Sequence, residues 1–309
     1  MIPTNRRPRE LRRTLERLEG QGAAPRFEVI VVVNAEDDPA ASEAAARDAR
    51  LDARVLHSAR PGVSASRNLG WRAAGTDLVL FLGDDILAST SLLREHVEWH
   101  RRDPEDTVGV LGHVNWAREV GVTPFMRWLE QWMQFDYGGI EGIEAGPGRL
   151  YTSNVSLKRA MLERVDGFDE DFEFAFEDID LGYRLALHGF RLLYNRAARA
   201  EHLHKVTLES AQERMGFNAS GERLLVSKHP ELPAMMRERM LRAVATPARG
   251  RLAPLVRFVP AGTPVLGRKV WRSAEQQWLA RLAPAFLSTW GRETGDEASE
   301  PANARQDPG

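Results

Sequence analysis

Along the first third of this chain, short unbroken apolar runs alternate with longer stretches whose apolar residues recur every three or four positions. Phe27-Glu-Val-Ile-Val-Val-Val33 and Leu78-Val-Leu-Phe-Leu82 are too short for globular helices. Gly75 and Thr76 punctuate one side of the second run and Gly83 the other, so it reads as a strand buried on both faces, as in a parallel sheet. Between and around the runs lie helical patterns. Pro8 opens one at its first turn, with Leu11, Leu15 and Leu18 on one face and Gly20 to close it. An Ala-rich helix extends to about Arg50, and Ala53 to Leu56 is a weaker strand. Val63 to Ala74 carries Ala65, Leu69 and Ala73 on one face. A helix from about Thr90 to Arg101 and a strand from Thr107 to Leu111 follow. This alternation predicts an α/β fold with a doubly wound, mostly parallel, Rossmann-like sheet. Met1-Ile-Pro-Thr-Asn5 looks like the end of a strand. A buried strand beginning at Pro3 lacks most of its ladder partners, so the pattern predicts further apolar residues upstream.

The middle of the chain changes character. Phe125 to Phe135, with Trp128, Trp132 and Met133, reads as a helix, and Gly138 to Gly148 as a mobile loop. Arg149 to Ser156 reads as a strand and Lys158 to Val165 as a short helix. Another helix starts near Glu177, with Ile179, Tyr183 and Ala186 on one face and Gly189 beyond its end. After His204 the alternation stops. Helices are predicted over Leu208–Val226 and Leu232–Val244, a broken stretch over Pro247–Pro264, and an amphipathic helix over Val270–Leu282. From about Thr294 the chain is polar and reads as disordered. The expected organisation is an α/β domain over residues 1–205, a helical extension over 206–292 and a tail over 293–309.

The 309 residues are 43% hydrophobic and 28% charged, ordinary for a globular protein. A net charge of −2 gives no bulk electrostatic pull toward nucleic acid. The absence of Cys excludes disulfides, thiolate metal sites and cysteine nucleophiles. No run has the length of a transmembrane helix and no signal peptide opens the chain, so the default location is the cytoplasm.

Two acidic stretches carry candidate chemistry. Asp84 and Asp85 follow the run Leu78–Leu82, at the carboxyl end where open α/β sheets bind ligands. Paired carboxylates there suit a hard divalent cation, and the cation suits a phosphorylated ligand. An Asp-rich turn is the plainer alternative. Glu177, Asp178 and Asp180 occupy the first turn of a helix, where the macrodipole favours acids. They also suit a general base beside an aromatic wall of Phe172, Phe174 and Phe176, which would raise its pKa. His202 and His204 alternate on one strand face, either as a hydrogen-bonded pair or with one as a further metal ligand.

Taken in order, Ile2-Pro-Thr, Arg67-Asn68, Phe81-Leu-Gly-Asp-Asp85, Asn154-Val-Ser and Phe176-Glu-Asp178 resemble the motifs of family 2 glycosyltransferases with the GT-A fold, over about residues 1–205. The resemblance implies a nucleotide-diphosphate sugar donor, a Mg or Mn ion and inverting transfer. It implies that Pro3 and Thr4 end the first strand beside the nucleotide base. Asn34 and Glu36 stand where the family has acids for base or ribose, and Arg67 faces base or diphosphate. Gly83 replaces the usual first Asp, so the resemblance makes Asp85 the metal ligand and Asp84 a ribose or supporting group. His204 is implied as the metal histidine, Asp178 as the catalytic base, and Glu177 and Asn154 as acceptor-binding or orienting residues. No Gln-x-x-Arg-Trp signature of processive synthases follows Asp178, which implies addition of a single sugar. The rival reading is a non-catalytic relative that binds nucleotide or glycan.

The C-terminal third adds a possible partner. Trp271, Ala274, Trp278 and Leu282 fall on one stripe, with Arg268, Lys269, Arg272 and Arg281 nearby. Such a stripe suits peripheral contact with a membrane bearing a lipid-linked acceptor. The alternative is a helix packed with its Trp residues inward.

Overall fold

The computed structural model describes every residue except 23, 36–38, 132, 247–249 and 295–309. The predicted tail and Glu36 therefore lie largely or wholly outside the described residues. The chain divides into Met1–Thr207 and Leu208–Gly309.

In the first unit, β1 (Ile2–Thr4), β2 (Val29–Asn34) and β3 (Ala53–Ser58) form an all-parallel sheet in the order β1-β2-β3. The strands β4 (Leu78–Leu82), β5 (Ile86–Ala88), β6 (Val108–Trp116), β7 (Asn154–Lys158) and β8 (Arg191–His202) form a second sheet, ordered β4-β7-β6-β8-β5. Only β6 and β8 are parallel there; β4–β7, β6–β7 and β5–β8 are antiparallel. The expectation of a mostly parallel sheet thus holds for the first half and fails for the second, where β7 inserts antiparallel between β4 and β6. The helices are α1 (Pro8–Glu19), α2 (Ala40–Arg47), α3 (Val63–Ala73), α4 (Leu92–Arg102), α5 (Pro124–Leu129), α6 (Arg159–Arg164) and α7 (Glu177–Ala186).

β4 is apolar throughout because both its faces are covered. Val79 and Phe81 join one core with Trp71, Leu157 and Leu181, while Leu82 joins another with Leu11, Leu15 and Val31. β1 forms despite its brevity, pairing Ile2 to Thr4 with Val31 to Val33. It also ties the two sheets together. The Met1 amine donates to the Leu80 carbonyl at 2.7 Å, and Leu82 N donates to the Met1 carbonyl at 3.2 Å. Burial lowers the Met1 ammonium pKa to about 5. An apolar cavity of about 180 Å³, lined by Met1, Leu18, Phe27 and Leu80 among others, lies at the amino ends of these strands, opposite the acid pair.

The second unit contains α8 (Leu208–Lys228), α9 (Met235–Ala245), a 3₁₀ segment at Gly250–Arg257 and α10 (Leu266–Thr294), with α10 packed on the other three. Ala274 and Leu282 are buried and Trp271 and Trp278 are half-buried, their rings meeting edge to face at 6.4 Å. The predicted Trp stripe is therefore mainly a packing face. No described helix is long and apolar enough to cross a membrane.

Candidate active site

The turn between β4 and β5 delivers the acid pair. Ile86 N closes it on the Gly83 carbonyl at 3.3 Å, leaving Asp84 and Asp85 buried at the carboxyl end of β4. Asp84 accepts from the Thr4 hydroxyl at 2.8 Å and from Arg7 at 3.0 Å, and its backbone carbonyl accepts from Thr14 at 2.8 Å. Asp85 lies 2.7 Å from the Arg7 guanidinium and 3.1 Å from His202 Nε2. His204 Nδ1 is 3.1 Å from Arg7. Thus His202 is the histidine on Asp85, and His204 reaches the pair through Arg7. Burial and then the Asp85 charge push the Asp84 carboxyl above its ordinary range, against Arg7 and Thr4. For Asp85 burial acts in the same upward direction, but His202, Arg7 and His204 together override it and hold this carboxyl low.

The second acidic centre is positioned by a polar helix face. Of the expected inward face of α3 only Ala65 is buried, Leu69 and Ala73 being half-buried; Ser64, Ser66, Arg67 and Asn68 are buried instead. Ser66 bonds locally to the Gly62 carbonyl, whereas Ser64 and Asn68 meet one distant segment. Ser64 donates to the Phe172 carbonyl at 2.6 Å, and Asn68 donates to the Phe168 carbonyl at 2.8 Å while accepting from Phe168 N at 2.9 Å. Val63 N donates to the Glu173 carbonyl, across a turn where Gly62 adopts φ 109° with its α-carbon facing that backbone. The segment then enters α7 through Ala175 and Phe176, both with φ 67°. Two successive left-handed residues without glycine are costly and need a surrounding structure that enforces them.

At the start of α7, Arg67 and Glu177 form a buried ion pair at 2.8 Å. Glu177 Oε2 and Arg67 Nε are buried without a hydrogen-bond partner, an unfavourable state that a bound polar group would relieve. Asp178 accepts from Ile179 N at 2.8 Å. Burial, then the Glu177 charge, raises its pKa to about 7, with Arg67 opposing. The expected wall of three Phe side chains is only partly realised: Phe172 is buried, Phe176 half-buried and Phe174 exposed.

Aromatic rings connect the two centres. His202 stacks on Trp116 at 5.2 Å and meets the edge of Phe135 at 5.5 Å; Phe135 in turn meets Tyr151 at 6.1 Å. Tyr151 lies within electrostatic reach of Asp178, whose charge helps raise the phenol pKa to about 12, after burial. Arg7, Phe135 and Tyr151 were not singled out from the sequence. Arg7 is separated from Asp84 by most of the first sheet's sequence, and Phe135 reads as part of a helix over Phe125 to Phe135, whereas α5 ends at Leu129.

The remaining candidates fall as follows. Pro3 lies within β1, and Thr4 points to Asp84. Asn34 ends β2, accepts from Asn5 through its backbone carbonyl, and has a buried Oδ1 without a partner, suited to a donor on a bound base. Glu36 lies outside the described residues. Asn154 is fully buried, bonded to His96 Nε2 at 2.9 Å and to the Ala198 carbonyl at 3.0 Å, so its amide is committed inside the sheet rather than to an acceptor.

A mixed sheet with acids at the carboxyl end of one strand and at a later helix start is the arrangement of GT-A glycosyltransferases. The mannosyltransferase PcManGT from Pyrobaculum calidifontis, solved with GDP-Man and Mn2+, superposes with a TM-score of 0.62 at 17% identity, over 96% of this chain and 86% of that one. S. aureus TarS 1-349 in complex with UDP gives 0.52 at 16% identity, over 96% and 90%. Residues 1–217 match the family described as Glycosyltransferase like family 2, and the chain belongs to that family. The pre-mycofactocin glycosyltransferase of Mycobacterium tuberculosis is 29% identical over 94% of this chain. The validoxylamine A glucosyltransferase of Streptomyces hygroscopicus subsp. limoneus is 28% identical over 75% of it. The alignments span 61% and 56% of those relatives' lengths.

Proposed function

We propose that this chain is an inverting glycosyltransferase that moves a single sugar from a nucleotide-diphosphate sugar to a hydroxyl acceptor, in cell-surface glycan or glycolipid synthesis. The observation that carries this reading is a pair of acidic centres, one clasping a guanidinium and the other beside the Arg67–Glu177 ion pair, joined by an aromatic wall. At one, two buried carboxylates converge on a cation; at the other, a carboxyl is held near neutrality.

Asp178 is the general base. A carboxylate with a pKa near 7 accepts a proton from an acceptor hydroxyl more readily than an ordinary Asp. The acceptor oxygen bonds to the anomeric carbon as its proton passes to Asp178. The bond from that carbon to the diphosphate breaks on the opposite face, and the nucleoside diphosphate leaves with the electron pair. Arg67 fixes Glu177 beside the base, and the aromatic wall limits water.

Asp84 and Asp85 offer the hard oxygen donors that Mg or Mn prefers, with His202 or His204 adjacent. Among the described residues no three acids or histidines already converge as a metal cluster, and the cation between the carboxylates is Arg7. The donor chemistry therefore fits a divalent ion that shares or replaces the place of Arg7. Such an ion would offset the charge of the leaving diphosphate. The mannosyltransferase solved with GDP-Man and Mn2+ supports this assignment, and the glucosyltransferase relative supports a hexosyl donor.

The test is a thermal-shift screen of nucleotide-sugars with Mn, followed by donor turnover with and without candidate acceptors. Stabilisation by one nucleotide-sugar and release of its nucleoside diphosphate are expected. Binding with no turnover under any acceptor would favour a non-catalytic relative.

A further inference from the structure

The 3₁₀ segment Gly250–Arg257 sorts its side chains into rows. Residues three apart eclipse one another in such a helix. Phe258 N extends the turn onto the Leu255 carbonyl at 2.9 Å. Leu252, Leu255 and Phe258 therefore share one row, and they are 36%, 41% and 76% exposed. The row at Ala253 and Val256 faces inward, with Ala253 buried and Val256 half-buried. The third row carries Arg251 and Arg257, both exposed. An ordinary surface turn would place polar residues in the outward row; here the apolar residues point to water.

A second exposed pair lies close by. The Trp271 indole donates to the Val259 carbonyl at 2.9 Å, which holds the start of α10 against the end of this segment. Val265 and Leu266, at the same start, are also exposed. Val265 has φ 57°, a left-handed conformation that β-branched residues rarely adopt.

Charge separates this face from the rest of the chain. From residue 251 to residue 272 the sequence holds Arg251, Arg257, Arg268, Lys269 and Arg272 and no acid, a local charge of +5 in a chain of net −2. All five are exposed, and none forms an ion pair with a described residue. In the same unit Arg239, Arg242 and Arg281 pair with Glu275, Glu238 and Glu209.

We propose that this face docks the chain on an anionic membrane surface. Apolar side chains beside uncompensated basic groups match the boundary between acyl chains and phosphate headgroups. Leu252, Leu255 and Phe258 enter the boundary, and the guanidinium and ammonium groups meet lipid phosphate. Trp271 and Trp278 are not the anchors, because they are half-buried within the unit.

Co-sedimentation of the full chain with vesicles, without donor or acceptor, tests the proposal independently of sugar transfer. Binding is expected to vesicles of phosphatidylcholine with phosphatidylglycerol, to weaken as salt is raised, and to be absent with phosphatidylcholine alone. Leu255→Ser with Phe258→Ser should abolish binding at an unchanged melting temperature. Arg257→Gln with Lys269→Gln should weaken it roughly thirtyfold, at about one headgroup interaction lost per charge. No binding to anionic vesicles at low salt would overturn the proposal. So would binding that both double variants leave intact, or retention on heparin without retention on vesicles.

Discussion

Arg7 places a guanidinium between two buried carboxylates, so a divalent ion entering this site meets a positive charge already in position. Arg7→Met should raise Mn affinity about tenfold or more without donor, read from free-Mn electron paramagnetic resonance. The same change should destabilise the metal-free protein by about 1–3 kcal/mol, a range lowered for the partial exposure of Arg7. Unchanged Mn affinity would show that Arg7 does not compete for the pair. At the second centre, Asp178→Asn should lower turnover by roughly 10²–10⁴ while donor affinity stays within a few-fold. Since the base must be ionised and its pKa is about 7, wild-type turnover should climb between pH 6 and 8. Glu177→Gln removes the charge that raises Asp178 and leaves Arg67 to favour its ionised form. The climb should move to lower pH; a shift to higher pH in the pH–rate profile would refute the assignment.

Elements carry a different kind of constraint. α4 buries His96 and His100 against β7, where Ser156 Oγ lies 2.8 Å from each and Asn154 bonds His96. Burial lowers both imidazoles to about 4. The unfolded chain takes up these protons near pH 6.5 and the folded chain only near 4, so the unfolded state binds more protons in that window. Stability should therefore fall as pH drops from 6.5 toward 4. Urea midpoints across this range test it, and a His96→Gln, His100→Gln variant should show a flatter slope. This network also shows what local sequence conceals. β4 was legible because both its faces are apolar and glycines bound it. β8 was visible only at its end, as an alternation over Ala200–His204 that overruns the strand by two residues, because its ladder with β6 shifts register between Gly112 and His113 and breaks the alternation before that. The direction of β7 has no local signature at all. The buried polar face of α3 has no local signature because its partners, Phe168 and Phe172, lie about a hundred positions away.

For the whole molecule, the acidic motifs and the order of the first strands were readable, whereas the contacts that assemble them were not. Thr4 ends β1, Arg7 follows it and Thr14 lies on α1, yet all three bond Asp84. Met1 meanwhile bridges to Leu80 and Leu82 on β4. The acid pair thus lies on the seam between the parallel sheet and the mixed one. Occupancy at a seam is felt on both sides of it. A ligand at about a hundred times its dissociation constant contributes about 2.7 kcal/mol to the native state. In deuterium exchange, a nucleotide bound with metal should slow amides of β2 and β4 together, although neither strand's midpoint touches it. Protection confined to residues 83–86 would mean that the sheets are held together elsewhere. Protection of both would make the exchange pattern a ligand assay that needs neither acceptor nor turnover.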